Sequence, residues 1–109
     1  MNLIDPQKPT CRVVHCQKDD YDVYIGRPSK WGNPFSHIQD KKTRAEFLVN
    51  SRKEAVDAYE QWILHGGGQH LLQDLKDLQG KILGCWCVPK SCHGEILVKL
   101  VNNLPNQNL

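Results

Sequence analysis

Two stretches of the chain concentrate side chains able to do chemistry. In Leu83–Glu95, LGCWCVPKSCHGE, Cys85, Cys87, Cys92 and His93 stand in a C-x-C-x4-C-H pattern. Thiolates and imidazoles are zinc ligands, and four of them complete a tetrahedral ion. Strand geometry puts Cys85 and Cys87 on one face, which favours that reading. The adjacency of Cys92 and His93 opposes it, because consecutive backbone positions rarely turn both side chains onto one ion. The spacing therefore predicts structural thiols on a strand, with zinc as the alternative. No metal ligand set and no cofactor is assigned.

The same stretch reads as a strand, a proline-bearing loop and a helix start. Ligands of α/β proteins settle beyond the carboxyl ends of strands, where a helix N-terminus offers free N–H groups to an anion. Cys92, His93 and Gly94 fall at that start. The helix dipole, with an imidazolium or Lys90 nearby, would lower the pKa of Cys92 and make it a candidate thiolate or anion-site residue. His93 and Glu95 are the candidate acid–base groups. Glu95 also fits the first-turn acid that complements the dipole, and that plainer role is the one expected.

The second stretch is Ile25–Phe35, IGRPSKWGNPF. Arg27 and Lys30 can hold a phosphate, Trp31 can stack on a base, and Asn33 can pair with a base edge or a sugar hydroxyl. Gly26 and Ser29 complete this candidate binding loop. A plainer reading has Trp31 and Phe35 plugging the core and Arg27 paired with a carboxylate. Taken singly the residues favour the plainer reading; taken together they favour a ligand.

Other chemistry-bearing residues carry less. His65 and His70 flank Gly66–Gly68 and read as surface residues. The glycine run follows a helix and lacks a downstream Lys-Ser/Thr, so it is neither a dinucleotide fingerprint nor a P-loop. Cys11, His15 and Cys16 lack the C-x2-C pitch of a metal site. Tyr59 and Trp62 lie on an apolar stripe and are expected in the core. The charge run Asp40–Arg44 reads as a solvated loop.

These groups must be positioned by short elements. Residues 1–10, with two prolines and no periodicity, are expected to form a flexible arm before a single domain over 11–103. Cys11–Cys16 and Asp22–Gly26 are β-prone runs joined by a polar turn, and their closeness predicts a hairpin. Thr43-Arg-Ala-Glu46 and Ser51-Arg-Lys-Glu54 both match a capping box, the second more strongly. Ala55, Val56, Tyr59, Trp62 and Ile63 then trace one face of a helix of roughly three turns, ended by Gly66. Leu71, Leu72, Leu75 and Leu78 line a second helix closed by Gly80. Lys81–Cys87 is a compact apolar run that reads as a buried central strand broken by Pro89. Ile96, Leu97, Leu100 and Val101 mark a last helix, followed by a polar tail over 104–109. The order β-β-loop-α-α-β-α predicts a small α/β sandwich with a few-stranded mixed or partly parallel sheet flanked by about three to four helices.

Composition narrows the class. The chain has 109 residues, 39% hydrophobic and 24% charged, so it is neither disordered nor fibrous. A net charge of +2 permits an anionic ligand but falls short of a dedicated nucleic-acid binder. Five cysteines without a secretory leader point to a reducing compartment, and a cytoplasmic location is expected. The chain contains no apolar run of about 18 residues, so no membrane partner is expected.

The segments IGRPSKWGNPF, RKEAVDAYEQWI and LGCWCVPKSCHGEIL together resemble an uncharacterised domain family of short proteins from phages, bacteria and some large DNA viruses. The resemblance runs from about Val13 to Val101, and Cys11 and Cys16 fall outside its pattern. The strand–loop–Cys-His–helix element is also similar to a second uncharacterised α/β family with a Cys-His-Arg motif, where Gly94 here replaces the Arg. Any anion clamp supplied by that Arg is then missing or comes from Arg27 or Lys30. Both resemblances imply a Rossmann-like domain, and a nucleotide-type ligand only by analogy.

The resulting expectation is a small cytosolic protein binding a nucleotide, nucleoside or similar phosphorylated metabolite between the Ile25–Phe35 loop and the Cys92–Gly94 helix start. If it is an enzyme, hydrolysis or transfer at a phosphate or N-glycosidic bond is expected, with His93 or Glu95 as acid or base. The alternatives are a zinc-stabilised nucleic-acid module, and a phage–host interaction or metabolite-sequestering protein that presents Trp31 and Phe35 as exposed anchors. An uncovered sheet edge would allow a homodimer.

Overall fold

The computed structural model describes residues 10–36 and 47–104. The expected arm up to Pro9, the Thr43 capping box, the Asp40–Arg44 run and the tail from Pro105 lie outside the described residues. Three strands form the main sheet: β1 (Arg12–His15), β2 (Val23–Tyr24) and, far along the chain, β5 (Ile82–Cys85). β5 lies in the middle and both neighbours run parallel to it, with Val13 and Val23 each facing Leu83. Its residues Leu83, Gly84 and Cys85 are buried, as a central parallel strand requires. A second, two-stranded parallel sheet pairs β3 (Phe35–Ser36) with β4 (Phe47–Leu48).

The expected hairpin does not form, because β1 and β2 never pair with each other. The chain between them crosses β5 at Gly84. A Cβ on Gly84 would sit 2.6 Å from Cγ of Tyr21, so only glycine lets the Tyr21 ring lie against the strand. Asp22 then joins the strand from both sides. Its N–H donates to the Ile82 carbonyl at 2.7 Å, and its carboxylate accepts from the Ile82 N–H at 2.8 Å.

Helix α1 (Arg52–His65) starts where the second capping motif places it. Ser51 Oγ accepts from the Glu54 N–H at 3.1 Å, while the Glu54 carboxylate reaches one residue further back, to the Asn50 N–H, at 2.8 Å. Its buried face is Ala55, Val56, Tyr59 and Ile63, and Trp62 is only half-buried. The second helical segment, Gln69–Leu78, is a 3-10 helix rather than an α-helix. Gly68 supplies no capping side chain, and the first bond closes tightly from Leu71 N–H to Gly68 O at 2.9 Å. It still buries Leu71, Leu75 and Leu78 against the core. Helix α2 (Gly94–Asn102) packs on β1 and buries Ile96, Leu97 and Val101. At its end the Asn102 amide accepts from the Cys11 N–H and donates to the Cys11 carbonyl, at 3.1 and 3.0 Å.

The architecture is a small α/β fold with two parallel sheets and three helical segments among the described residues. No helix among them is long and apolar enough to cross a membrane.

Candidate functional site

Because β1, β2 and β5 are parallel, their carboxyl ends reach the same edge of the sheet. A cavity of about 640 Å³ opens there. His15, Tyr24 and Cys85 contribute the strand ends. Trp86–His93 forms one wall, Gly26, Arg27, Asn33 and β3 another, and Arg52, Ala55 and Val56 at the start of α1 the third. The loop after β2 reaches its place through two successive turns, closed by Ser29 N–H to Gly26 O and Gly32 N–H to Ser29 O, both at 2.9 Å. Arg27-Pro28 and Val88-Pro89 are cis peptide bonds.

The two motif segments therefore meet, but not all their residues face the cavity. Gly26, Arg27, Asn33, Cys92 and His93 line it; Ser29, Lys30, Trp31, Gly94 and Glu95 do not. Trp31 is 3% exposed and sits in the core, where its carbonyl accepts from Tyr59 Oη at 2.8 Å. A buried indole cannot stack on a ligand, so the base-stacking expectation for Trp31 is corrected. Burial also removes Trp31 as an exposed interaction anchor, and Phe35, stacked on Phe47, is half-buried. Lys30 points away from the cavity, paired with Asp74 at 3.0 Å and lying over the Trp31 ring. It is thus no anion ligand there. Glu95 is exposed in the first turn of α2, off the cavity wall, and acts as the acid that complements the helix dipole. Ser29 Oγ is buried with no hydrogen-bond partner among the described residues.

Asn33 lines the cavity with its polar atoms engaged elsewhere. Its amide donates to the Ala55 carbonyl and accepts from the Phe35 N–H, both at 2.9 Å, which ties the loop to α1. Arg27 donates to the Asn33 carbonyl at 3.1 Å. Gly94 is glycine for packing reasons: a Cβ there would lie 2.9 Å from both Ile25 Cδ1 and Val13 Cγ2. α2 can therefore dock directly onto the strands.

Of the four cations that line the cavity, sequence reasoning gave a ligand role only to Arg27 and named Lys90 only as a neighbour of Cys92. Lys18, Arg52 and Lys90 join Arg27 around the cavity, and no carboxylate lines it among the described residues. None of the four pairs with a carboxylate among those residues. The aromatic platform is Trp86, 53% exposed, with its indole N–H donating to Tyr24 Oη at 2.7 Å and its ring edge-on to His15. One signal was available for Arg52. A basic residue in the first turn of a helix opposes the dipole, so it needs a compensating role.

On the cavity wall the thiols gather. Cys85 and Cys92 Sγ lie 3.0 Å apart, and a His93 ring nitrogen lies within 4.8 Å of both. Hydrogen bonds from the Cys85 and Cys92 thiols hold Cys87 well below the ordinary thiol range, aided by the neighbouring Arg52 guanidinium. The Cys87 thiol and burial push Cys85 up against the opposing Cys92 thiol, and the Cys85 and Cys87 thiols with burial push Cys92 up. His93 is 6% exposed, and burial holds its pKa down, opposed by the Ile25 carbonyl 2.8 Å from Nε2. A buried neutral imidazole supplies no positive charge to a ligand.

Comparison with known proteins places these observations. A family model described as "Domain of unknown function (DUF4326)" matches residues 11–103. A relative described as an uncharacterised 12.4 kDa protein in the nrdA-td intergenic region of Enterobacteria phage T4 is 35% identical over 96 residues, covering 86% of this chain and 80% of the relative. An uncharacterised protein of Acanthamoeba polyphaga mimivirus is 31% identical over 87 residues, covering 72% of this chain and 65% of the relative. No solved structure matches.

Proposed function

We propose that this chain, which belongs to the DUF4326 domain family, binds a small anionic ligand of the nucleotide type in the cavity at the strand ends. The observation that supports this is the ring of Lys18, Arg27, Arg52 and Lys90 around a cavity that no carboxylate lines among the described residues. Lys18, Arg27 and Lys90, together with Arg52 beside Cys87, concentrate positive charge in one concavity beyond what a net charge of +2 suggests. The arginines can take phosphate oxygens bidentately, and the lysines add point charges. A volume of about 640 Å³ suits a mononucleotide-sized molecule. Trp86 offers the face on which a base would stack, the role that Trp31 cannot fill.

Within this reading any hydrolysis or transfer would draw on Cys87 or His93, since Glu95 is remote from the cavity. Titration of the chain with a 5′-nucleoside monophosphate, the matching nucleoside and inorganic phosphate tests the proposal. The monophosphate should bind more tightly than either part. Arg52→Ala should weaken it at least tenfold, and Trp86→Ala should erase the advantage of the monophosphate over inorganic phosphate. Absence of binding by all three at millimolar concentration would refute the reading.

A further inference from the structure

We propose that Cys85, Cys87, Cys92 and His93 together form a tetrahedral zinc site on the cavity wall. The sequence objection was that Cys92 and His93 are neighbours. The structure removes it, because the turn at the start of α2 brings a nitrogen of His93 and Sγ of both Cys92 and Cys85 within 4.8 Å of one another, all buried. Cys87, which lines the same cavity wall two residues beyond Cys85, supplies the fourth ligand. Three thiols and an imidazole converge where a folded chain ordinarily buries apolar groups.

The surroundings are those of a metal ligand set. His93 Nε2 lies 2.8 Å from the Ile25 carbonyl, so Nε2 carries the proton and Nδ1 keeps the lone pair. Such an outer-sphere carbonyl is how proteins orient a metal-binding histidine. The Gly94 N–H donates to Cys92 Sγ at 3.1 Å, a bond that stabilises a thiolate. Cys85 and Cys92 Sγ at 3.0 Å are closer than the roughly 3.8 Å between sulfurs around a zinc with 2.3 Å bonds, so binding asks them to part by under about 1 Å. Soft sulfur donors with one imidazole select zinc over hard cations such as magnesium or calcium. On binding, zinc displaces to solvent every proton that the three sulfurs still carry, and the loaded site of three thiolates, a neutral imidazole and Zn2+ carries one net negative charge, which Arg52 beside Cys87 offsets.

The proposal does not rest on anion binding, although a zinc held by Cys87 and His93 would take both out of any direct role in hydrolysis or transfer, and one experiment keeps the two readings apart. The reduced chain, purified without chelator and given equimolar zinc chloride, should hold one zinc per chain by elemental mass spectrometry. Adding EDTA should raise the number of thiols that react rapidly with a disulfide reagent by at least one, the half-buried Cys87, while Cys85 and Cys92 stay buried. Cobalt(II) in place of zinc should give the intense visible bands of a tetrahedral thiolate site. Cys92→Ser should weaken zinc at least a hundredfold, and Cys16→Ser, outside the cluster, should leave it unchanged. Arg52→Ala should lose the monophosphate and keep the zinc. A chain that takes up less than about a tenth of an equivalent of zinc overturns the proposal, as does a thiol count indifferent to EDTA. Both of those readings come from the unaltered chain, so a misfolded variant cannot mask them.

Discussion

Replacing Asn33 with alanine decides whether that side chain serves the loop or a ligand. The structure assigns it to the loop, through the bonds to the Ala55 carbonyl and from the Phe35 N–H, each 2.9 Å long. The Ala55 carbonyl lies inside α1 and keeps its intrahelical partner when the amide is removed. The Phe35 N–H belongs to a half-buried residue and recovers part of its hydration. Each lost bond then costs about 1 kcal/mol, near the mean for buried hydrogen bonds, and the pair about 2 kcal/mol. In a domain of this size that lowers Tm by about 8–16 °C. A stability of about 5–15 kcal/mol leaves the variant folded at room temperature, so binding remains measurable. Asn33→Asp should cost at least as much, despite its matching shape. It keeps the acceptor for Phe35 but sets a carboxylate oxygen against the Ala55 carbonyl. Thermal melts followed by circular dichroism, with monophosphate titration on the same samples, check both variants. A Tm for Asn33→Ala within about 2 °C of the parent, together with lost ligand binding, would refute the reasoning and return Asn33 to the ligand.

Two further outcomes follow from the same structure. Lys30→Ala should shift stability by less than about 0.5 kcal/mol and leave monophosphate affinity unchanged, because its pair with Asp74 is solvent-exposed and off the cavity; a tenfold loss of affinity by calorimetry would restore Lys30 to the site. Burial pushes the Cys11 thiol up to about 11, so the folded chain holds a proton that the unfolded chain releases near 9.0. Its contribution is complete below that lower value and is lost as pH rises toward the upper one, at up to about 1.4 kcal/mol per pH unit. Urea midpoints measured across this window should fall more steeply in the parent than in Cys11→Ala, and equal slopes would contradict the assignment. The comparison between the two chains also cancels the loss from Tyr59, whose hydroxyl is likewise pushed up by burial.

The elements that the sequence disclosed are those specified locally. Ser51 and Glu54 announce the start of α1, and its apolar stripe names Ala55, Val56, Tyr59 and Ile63 as the buried face. The run Ile82–Cys85 reads as a central strand because it is apolar without alternation. What stayed hidden depends on distant partners. β1 and β2 resemble a hairpin until Gly84 is seen to admit Tyr21 across the strand between them. β3 and β4 are two residues each, too short for any periodicity to register. At the site, Arg27, Asn33, Cys92 and His93 were legible because motif and cavity coincide there. Lys18 looks like any surface lysine, Lys90 was noticed only for its closeness to Cys92, and the fold alone gathers both at the cavity. Trp31 and Trp86 are the same residue in equally suggestive company. One is 3% exposed and the other 53%, and nothing local decides which becomes the wall of a cavity.

The position of β5 in the sheet also dictates how the chain can be made. Every backbone bond that joins β1 or β2 to the three-stranded sheet goes to β5, and Arg12 waits for Ile82. Until Ile82–Cys85 has left the ribosome, neither of the earlier strands has a partner, and the cysteines of the wall are not yet synthesised. Contacts so far apart in sequence make for slow folding within the range of small α/β domains, since the connecting loop must close before any pairing rewards it. At about 5–20 residues per second, the first strands spend several seconds as unpaired edges during translation. A chain interrupted between β4 and Ile82 would carry β1 and β2 as orphan strands and lack the three-stranded sheet, so the main sheet forms only once the late strand is made.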